Sequence, residues 1–186
     1  MIKVKYCQNN SILLAINSRR DKKSNKRFQC RRGLRLEISV NRRIEGFTAD
    51  ELFQIAANVE AYPKFLPFCI AARVLKDTPE QVGHDQKVDN VFGVGPFRSR
   101  FITHALLEEP NRIHISSDDP QFEILSITWA FQQEDEGACL VSFNMKQTFK
   151  SEMKTRLARS VAKNLEKKLI EKFETQARKV FNRPRP

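Results

Sequence analysis

No apolar run in this sequence approaches the roughly eighteen residues that a membrane-spanning helix needs. The longest candidates, Ile12–Ile16 and Phe65–Ala72, are far too short, so a helical span is excluded. Cysteine is sparse: Cys7, Cys30, Cys69 and Cys139 are scattered without C-x-x-C spacing and follow no secretory leader. They are expected to be reduced, separate thiols of an intracellular protein. The three histidines, His84, His104 and His114, fall in different turns or strands, with no serine, cysteine or carboxylate at a motif spacing. That pattern speaks against a nucleophilic triad and against a zinc-type ligand set. Glycine is scarce too, and Gly93-Val94-Gly95 lacks the third glycine and the following helix of a dinucleotide loop, so it reads as a hairpin turn.

Acidic residues are nearly missing from the first 36 positions, which hold eleven Lys or Arg against Asp21 alone. The formal net charge of +11 is therefore mostly an N-terminal matter, and residues 37–186 carry 22 basic against 21 acidic side chains. Residues 1–32 are expected to be a poorly ordered basic extension with no role in the fold, the readings being a mitochondrial-type presequence, a disordered arm or an over-long start. Residues 33–183 are expected to form one domain. Within it, residues 150–186 hold twelve basic and four acidic side chains, which makes the C-terminal end a basic face on an acidic body.

What is present organises itself around that end. From Ser151 to Asn182 there is neither Pro nor Gly, and Lys, Glu, Leu, Ala and Arg dominate. One helix of about 45 Å follows at about 1.5 Å per residue. Met153, Leu157, Val161, Leu165, Leu169, Phe173, Ala177 and Phe181 recur at every fourth position. A four-residue step overshoots the turn of about 3.6 residues, so the stripe drifts around the helix and suits a curved sheet wrapped about it.

The preceding residues supply the sheet. Leu34, Leu36, Ile38 and Val40 alternate with polar residues, marking a half-buried strand. Thr48 with Glu51 three residues on, flanked by Phe47 and Leu52, marks a helix start, and Pro63 is expected to stop that helix by about Ala61. Strands are expected over 70–76, 86–92, 96–108, 112–116, 122–132 and 138–149, joined by short turns and so antiparallel. Between helix and sheet, Tyr62-Pro63-Lys64-Phe65-Leu66-Pro67-Phe68-Cys69 sets two prolines among three aromatics. Such a segment either plugs the core or forms the lip of an apolar pocket. The order of strand, helix, six strands and long helix predicts an α+β helix-grip fold, a curved antiparallel sheet of about seven strands around a C-terminal helix.

The tyrosine-proline block after Asn58-Val59-Glu60 resembles that of the coenzyme Q-binding proteins, START-related lipid carriers with the bacterial ribosome-association toxins as near relatives. Phe92-Gly93, Phe97-Arg98-Ser99-Arg100-Phe101, Asp119-Pro120-Gln121-Phe122, Trp129-Ala130-Phe131 and Phe149-Lys150-Ser151 are similar to the same family in order. Asn58 stands where the family usually has aspartate, and Phe68 where tryptophan is common. The resemblance implies an apolar cavity between sheet and helix that holds ubiquinone or a related isoprenoid lipid. It gives Tyr62, Phe65, Leu66, Phe68, Phe92, Val94 and Phe97 as the mouth, Phe101, Trp129 and Phe143 as further wall, and Leu157, Val161 and Leu165 as the helix side. It further implies a carrier rather than an enzyme, with bound ubiquinone as ligand and no cofactor or metal. The implied place is peripheral to an anionic membrane, in the bacterial cytoplasm or on the matrix side of the mitochondrial inner membrane. Two alternatives stand: a ribosome-facing module that blocks subunit association, and a cyclase, which would need polar groups such as Ser99, Thr103, Asn144 or Gln147 to converge inside the cavity.

Overall fold

A computed structural model describes residues 35–79, 83–134 and 137–183, and within the last helix it omits the side chains of 161 and 163–167. The basic extension of residues 1–32 and the first-strand residue Leu34 lie outside the described residues. In chain order the elements are β1 (Leu36–Glu45), α1 (Ala49–Ala57), a 3-10 turn (Val59–Lys64), β2 (Cys69–Pro79), β3 (His84–Val94), β4 (Phe97–Glu108), β5 (Arg112–Ser116), β6 (Phe122–Glu134), β7 (Ala138–Phe149) and α2 (Glu152–Val180). The seven strands make one sheet in the order β1-β7-β6-β5-β4-β3-β2, with every described pairing antiparallel.

Strands β1 and β2, neighbours in sequence, are thus the opposite edges of the sheet. The α1 segment carries the chain from one edge to the other. The first strand runs five residues past Val40, paired through Glu45 opposite Ala138. The alternation is interrupted at Arg42, which occupies the same face as Ile38, Val40 and Ile44 but stays exposed and reaches Glu174 of α2 at 3.7 Å. The strand continues past Arg42 because its backbone stays paired with β7 as far as Glu45 and the apolar pattern resumes at the buried Ile44.

At the start of α1, Thr48 Oγ1 accepts from the Glu51 amide at 3.2 Å, and Glu51 Oε2 accepts from the Thr48 amide at 2.9 Å. This reciprocal cap fixes the start of the helix where the sequence placed it. The helix stops four residues earlier than Ala61, because an α-helical Pro63 would set its ring against the Val59 carbonyl, and the chain tightens into the 3-10 turn instead.

Helix α2 is capped by Ser151, whose hydroxyl accepts from the Lys154 amide. Its two halves do different things. In the C-terminal half Leu169, Ile170, Phe173 and Ala177 are buried, with Phe173 stacked on Trp129 at 4.9 Å and on Phe131 at 6.5 Å between ring centroids. In the N-terminal half Met153 is 64% exposed, and Leu157 and Ala158 are only half-buried. The apolar stripe is therefore in contact with the sheet along one half and stands off it along the other. Beyond α2, Arg183 closes the chain end onto α1: its guanidinium meets Glu51 at 2.7 and 2.9 Å and lies 4.9 Å over the Phe47 ring.

Candidate functional site

Where α2 stands off the sheet there is a cavity of about 400 Å³. Its roof is Met153, Lys154, Leu157 and Ala158 from the first two turns of α2, and its floor comes from the inward faces of β3 to β7. The inner floor is Val88, Ala105, Ile115, Ile127 and Met145. Towards the mouth it becomes aromatic. Phe92 stacks on Phe101 at 5.8 Å, Phe101 meets Phe122 edge-on at 5.0 Å, and Phe122 lies 4.9 Å from Phe149. This row crosses from β3 to β7 because β5, five residues long, ends short of Phe101 and lets β4 and β6 face each other directly.

That gap in the sheet is closed by side chains. Ser117 Oγ donates to the Ile102 carbonyl, and Gln121 Nε2 donates to the Arg100 carbonyl at 3.1 Å. Gln121 Oε1 accepts from Ser99 Oγ and, at 3.0 Å, from Lys154 Nζ. The first turn of α2 is thereby tied to the gap, which holds the roof at one fixed side of the mouth.

The opposite lip is Pro67, Phe68, Val94, Phe97 and Arg98. Val94 and Phe97 pair across a two-residue turn in which Gly95 takes φ +57°, a conformation that side chains with a Cβ rarely adopt. Phe68 is itself left-handed, at φ 68°, a strained state for an aromatic residue. Its carbonyl accepts from the Gly93 amide at 2.9 Å, so the loop is pinned to β3 while the ring turns into the cavity. A Cβ at Gly93 would lie 2.5 Å from Ile70 Cδ1 and against the Arg98 side chain, so any larger residue there has to displace these two side chains. Phe97 and Met153, both of them exposed, give the mouth an apolar border beside the cations Arg98 and Lys154.

Of the residues singled out from the sequence, Tyr62, Phe68, Phe92, Val94, Phe97, Phe101 and Leu157 border this cavity. Tyr62 presents only its ring, since its hydroxyl donates to the Ala56 carbonyl and burial pushes the phenol far above its ordinary value. Four others are placed elsewhere. Leu66 is buried in the main core, and Phe65 packs edge-on to Tyr62 at 5.7 Å and borders a smaller groove between α1 and the end of α2. Trp129 and Phe143 are in the core as well, because Phe173 covers the indole that the sheet offers to α2. Val161 and Leu165 have side chains outside the described residues.

Among polar groups, Ser99, Thr103 and Gln147 face the cavity, whereas Asn144 is exposed and bonded to Ser39 at 2.7 Å. Asn90, which is not among the polar groups named from the sequence, also lines it and is bonded to Thr103. Its signal was a polar side chain on the inward parity of β3, between Val88 and Phe92. The described cysteines are remote from catalytic chemistry: burial pushes the thiols of Cys69 and Cys139 up to about 11. His84 and His104 lie on the surface near Asp77 and Asp85. Among the described residues no three His, Cys, Asp or Glu side chains converge, and no helix is long and apolar enough to cross a membrane.

A curved antiparallel sheet gripping a long C-terminal helix, with an apolar cavity between the two, defines the START-like helix-grip class. Residues 46–174 match the polyketide cyclase / dehydrase and lipid transport family, and the chain belongs to that family. It is 26% identical over 136 residues to the ribosome association toxin RatA of Escherichia coli K12, covering 73% of this chain and 84% of the toxin. It is 24% identical over 153 residues to the mitochondrial coenzyme Q-binding protein COQ10 homolog B of Xenopus laevis, covering 80% of this chain and 61% of that protein. The solution structure of an 18 kDa protein from Caulobacter crescentus superposes with a TM-score of 0.65 at 24% identity, covering 79% of this chain and 99% of the other.

Proposed function

We propose that this protein binds an isoprenoid quinone of the ubiquinone type and acts as a carrier or chaperone for it, without catalysing a reaction, in support of quinone biosynthesis and respiratory electron transport. The observation that carries this reading is the cavity of about 400 Å³ with its aromatic and aliphatic wall. That volume is within the range of about 300–1,000 Å³ typical of small-molecule sites. It suits a substituted ring and the first part of a side chain. A longer tail continues through the mouth, whose border of Phe97 and Met153 is apolar.

Each methylene buried contributes about 0.8 kcal/mol, so a polyprenyl chain is retained by area with few polar contacts. The same border, with Arg98 and Lys154 beside it, suits a peripheral position on an anionic membrane, from which a lipid enters without crossing water. That surface would be the bacterial inner membrane or the matrix face of the mitochondrial inner membrane. The buried, high-pKa thiols and the outward histidines support binding rather than catalysis.

A second reading rests on the likeness to RatA and on the basic residues of α2: contact with the large ribosomal subunit. The two separate on one preparation. Organic extraction of the purified protein followed by mass spectrometry is expected to yield a quinone, and Leu157→Trp, which fills the roof, is expected to lose it. A protein free of quinone that sediments with large subunits, with a steep salt dependence, would establish the second reading instead.

A further inference from the structure

Around Val88, Ala105 and Ile115 the cavity wall is apolar except where Asn90 and Thr103 meet, the other uncharged polar side chains on the wall being Ser99 and Gln147. Asn90 and Thr103, on adjacent strands, are 9% and 5% exposed, and both border the cavity. Their hydrogen bonds fix the roles of their atoms. The Val88 carbonyl can only accept, so the Asn90 atom 3.1 Å from it is the amide nitrogen. That nitrogen also donates to Thr103 Oγ1 at 2.9 Å, which uses both of its hydrogens.

Two capacities are left over. Asn90 Oδ1 accepts from no described residue, and the Thr103 hydroxyl, having accepted, has its own hydrogen to give and no described partner to take it. One acceptor and one donor therefore lie side by side on a wall whose neighbours, Val88, Ala105 and Ile115, offer no competing side-chain polar atom. Of the cations at the mouth, Arg98 stands opposite Gly93, three residues along β3 from Asn90, about 10 Å at about 3.3 Å per residue, and Lys154 is held by Gln121.

We propose that Asn90 and Thr103 form a clasp for a single ring hydroxyl, and that the cavity accordingly prefers the hydroquinone form of its ligand to the quinone. This rests on the reading of the cavity as a quinone site and adds the redox form it selects. A hydroxyl donates its hydrogen to Asn90 Oδ1 and accepts from Thr103 Oγ1, so both leftover capacities are met at once. A quinone oxygen has no hydrogen. It takes the one from Thr103 and sets its remaining lone pair against Asn90 Oδ1, leaving a buried acceptor unmade, which weakens binding by about ten-fold. The ring then enters head first, with its tail directed along the aromatic row to the mouth.

The test is an anaerobic calorimetric titration of a decyl-substituted benzoquinone, its hydroquinone and the dimethyl ether of that hydroquinone. Proteins to compare are the native chain, Thr103→Val and Asn90→Leu. The expected result is hydroquinone binding about ten-fold tighter than either other compound to the native protein, with the difference retained in Thr103→Val and abolished in Asn90→Leu. The ether separates hydrogen donation from ring electronics, since it can accept but not donate. Equal affinity for all three compounds in the native protein overturns the clasp and leaves the quinone site standing. A preference that survives in Asn90→Leu overturns it equally. Failure of all three to bind overturns both the clasp and the site. Thr103→Val keeps the side-chain shape and is expected to weaken all three compounds alike, so undiminished binding of all three to this variant overturns the clasp even if Asn90→Leu does not fold.

Discussion

The indole of Trp129 and the ring of Phe173 lie 4.9 Å apart at 29°, and this stack is where α2 passes from spanning the cavity to being anchored on the sheet. Phe173 is 1% exposed. Phe173→Ala is expected to cost about 3–5 kcal/mol, the range for a buried aromatic replaced by Ala. Urea unfolding followed by the fluorescence of Trp129, the one tryptophan in the chain, measures it directly. A loss below about 1 kcal/mol, far under that range, would mean that the helix is held by something other than this stack.

Leu66 and Phe68, two residues apart, have separate fates: one in the core, the other in the cavity wall. Leu66→Glu is therefore expected to unfold or aggregate the protein, since a carboxylate there must be desolvated without a partner. Circular dichroism and soluble yield report it. A soluble, folded variant that had lost only its ligand would return Leu66 to the lip.

Phe68→Gly separates stability from binding. The left-handed conformation costs an L-residue about 1–2 kcal/mol and glycine almost nothing, so the released strain offsets the packing lost with the ring. The melting temperature is expected to change little while quinone content falls sharply. If both fell together, the ring would be acting as core.

Acid should weaken the closure of the chain end. Burial raises the Glu51 carboxyl, but the Thr48 amide and the Arg183 guanidinium outweigh it and hold the group below its ordinary value. A carboxyl depressed in the folded state stabilises above its unfolded value, about 4.3, and loses that contribution as pH falls through the lower folded value. Glu51→Gln should thus be less stable than the native chain at neutral pH and approach it as pH drops below about 4. Paired urea melts at pH 7 and pH 3 test this; a difference constant with pH would assign the effect to the cap's shape rather than its charge.

The elements were legible where the signal is local. The cap at Thr48, the alternation of β1 and the unbroken helix-former run of α2 each announce themselves within a few residues, and the fold order follows from them. The cavity was not legible in the same way. A stripe such as Met153, Leu157, Leu169 and Phe173 has one spacing whether it touches a sheet or stands off it, and only the Trp129–Phe173 stack marks the change. The apolar loop shows the same limit, because the backbone angle at Phe68, and not hydrophobicity, decides which ring enters the cavity. Arg42 and Asn90 illustrate the converse: each is a polar residue at an inward position of its strand, visible in the alternation, whose partner is on another element, α2 for Arg42 and the neighbouring β4 for Asn90.

The pairing of β1 with β7 has a consequence in time. Ser39 meets Asn144 across 105 residues of chain, so among the described residues the first strand pairs with the last. At synthesis rates of about 5–20 residues per second, that is a wait on the order of 5–20 s. Through that interval β1 is an amphipathic strand with both edges open, and the barrier set by such distant contacts keeps the final closure slow even once β7 exists. Arg42 and Arg43, with Glu37 and Glu45, put charge along β1 during this period, which is how a strand is kept from pairing with its copies on neighbouring chains.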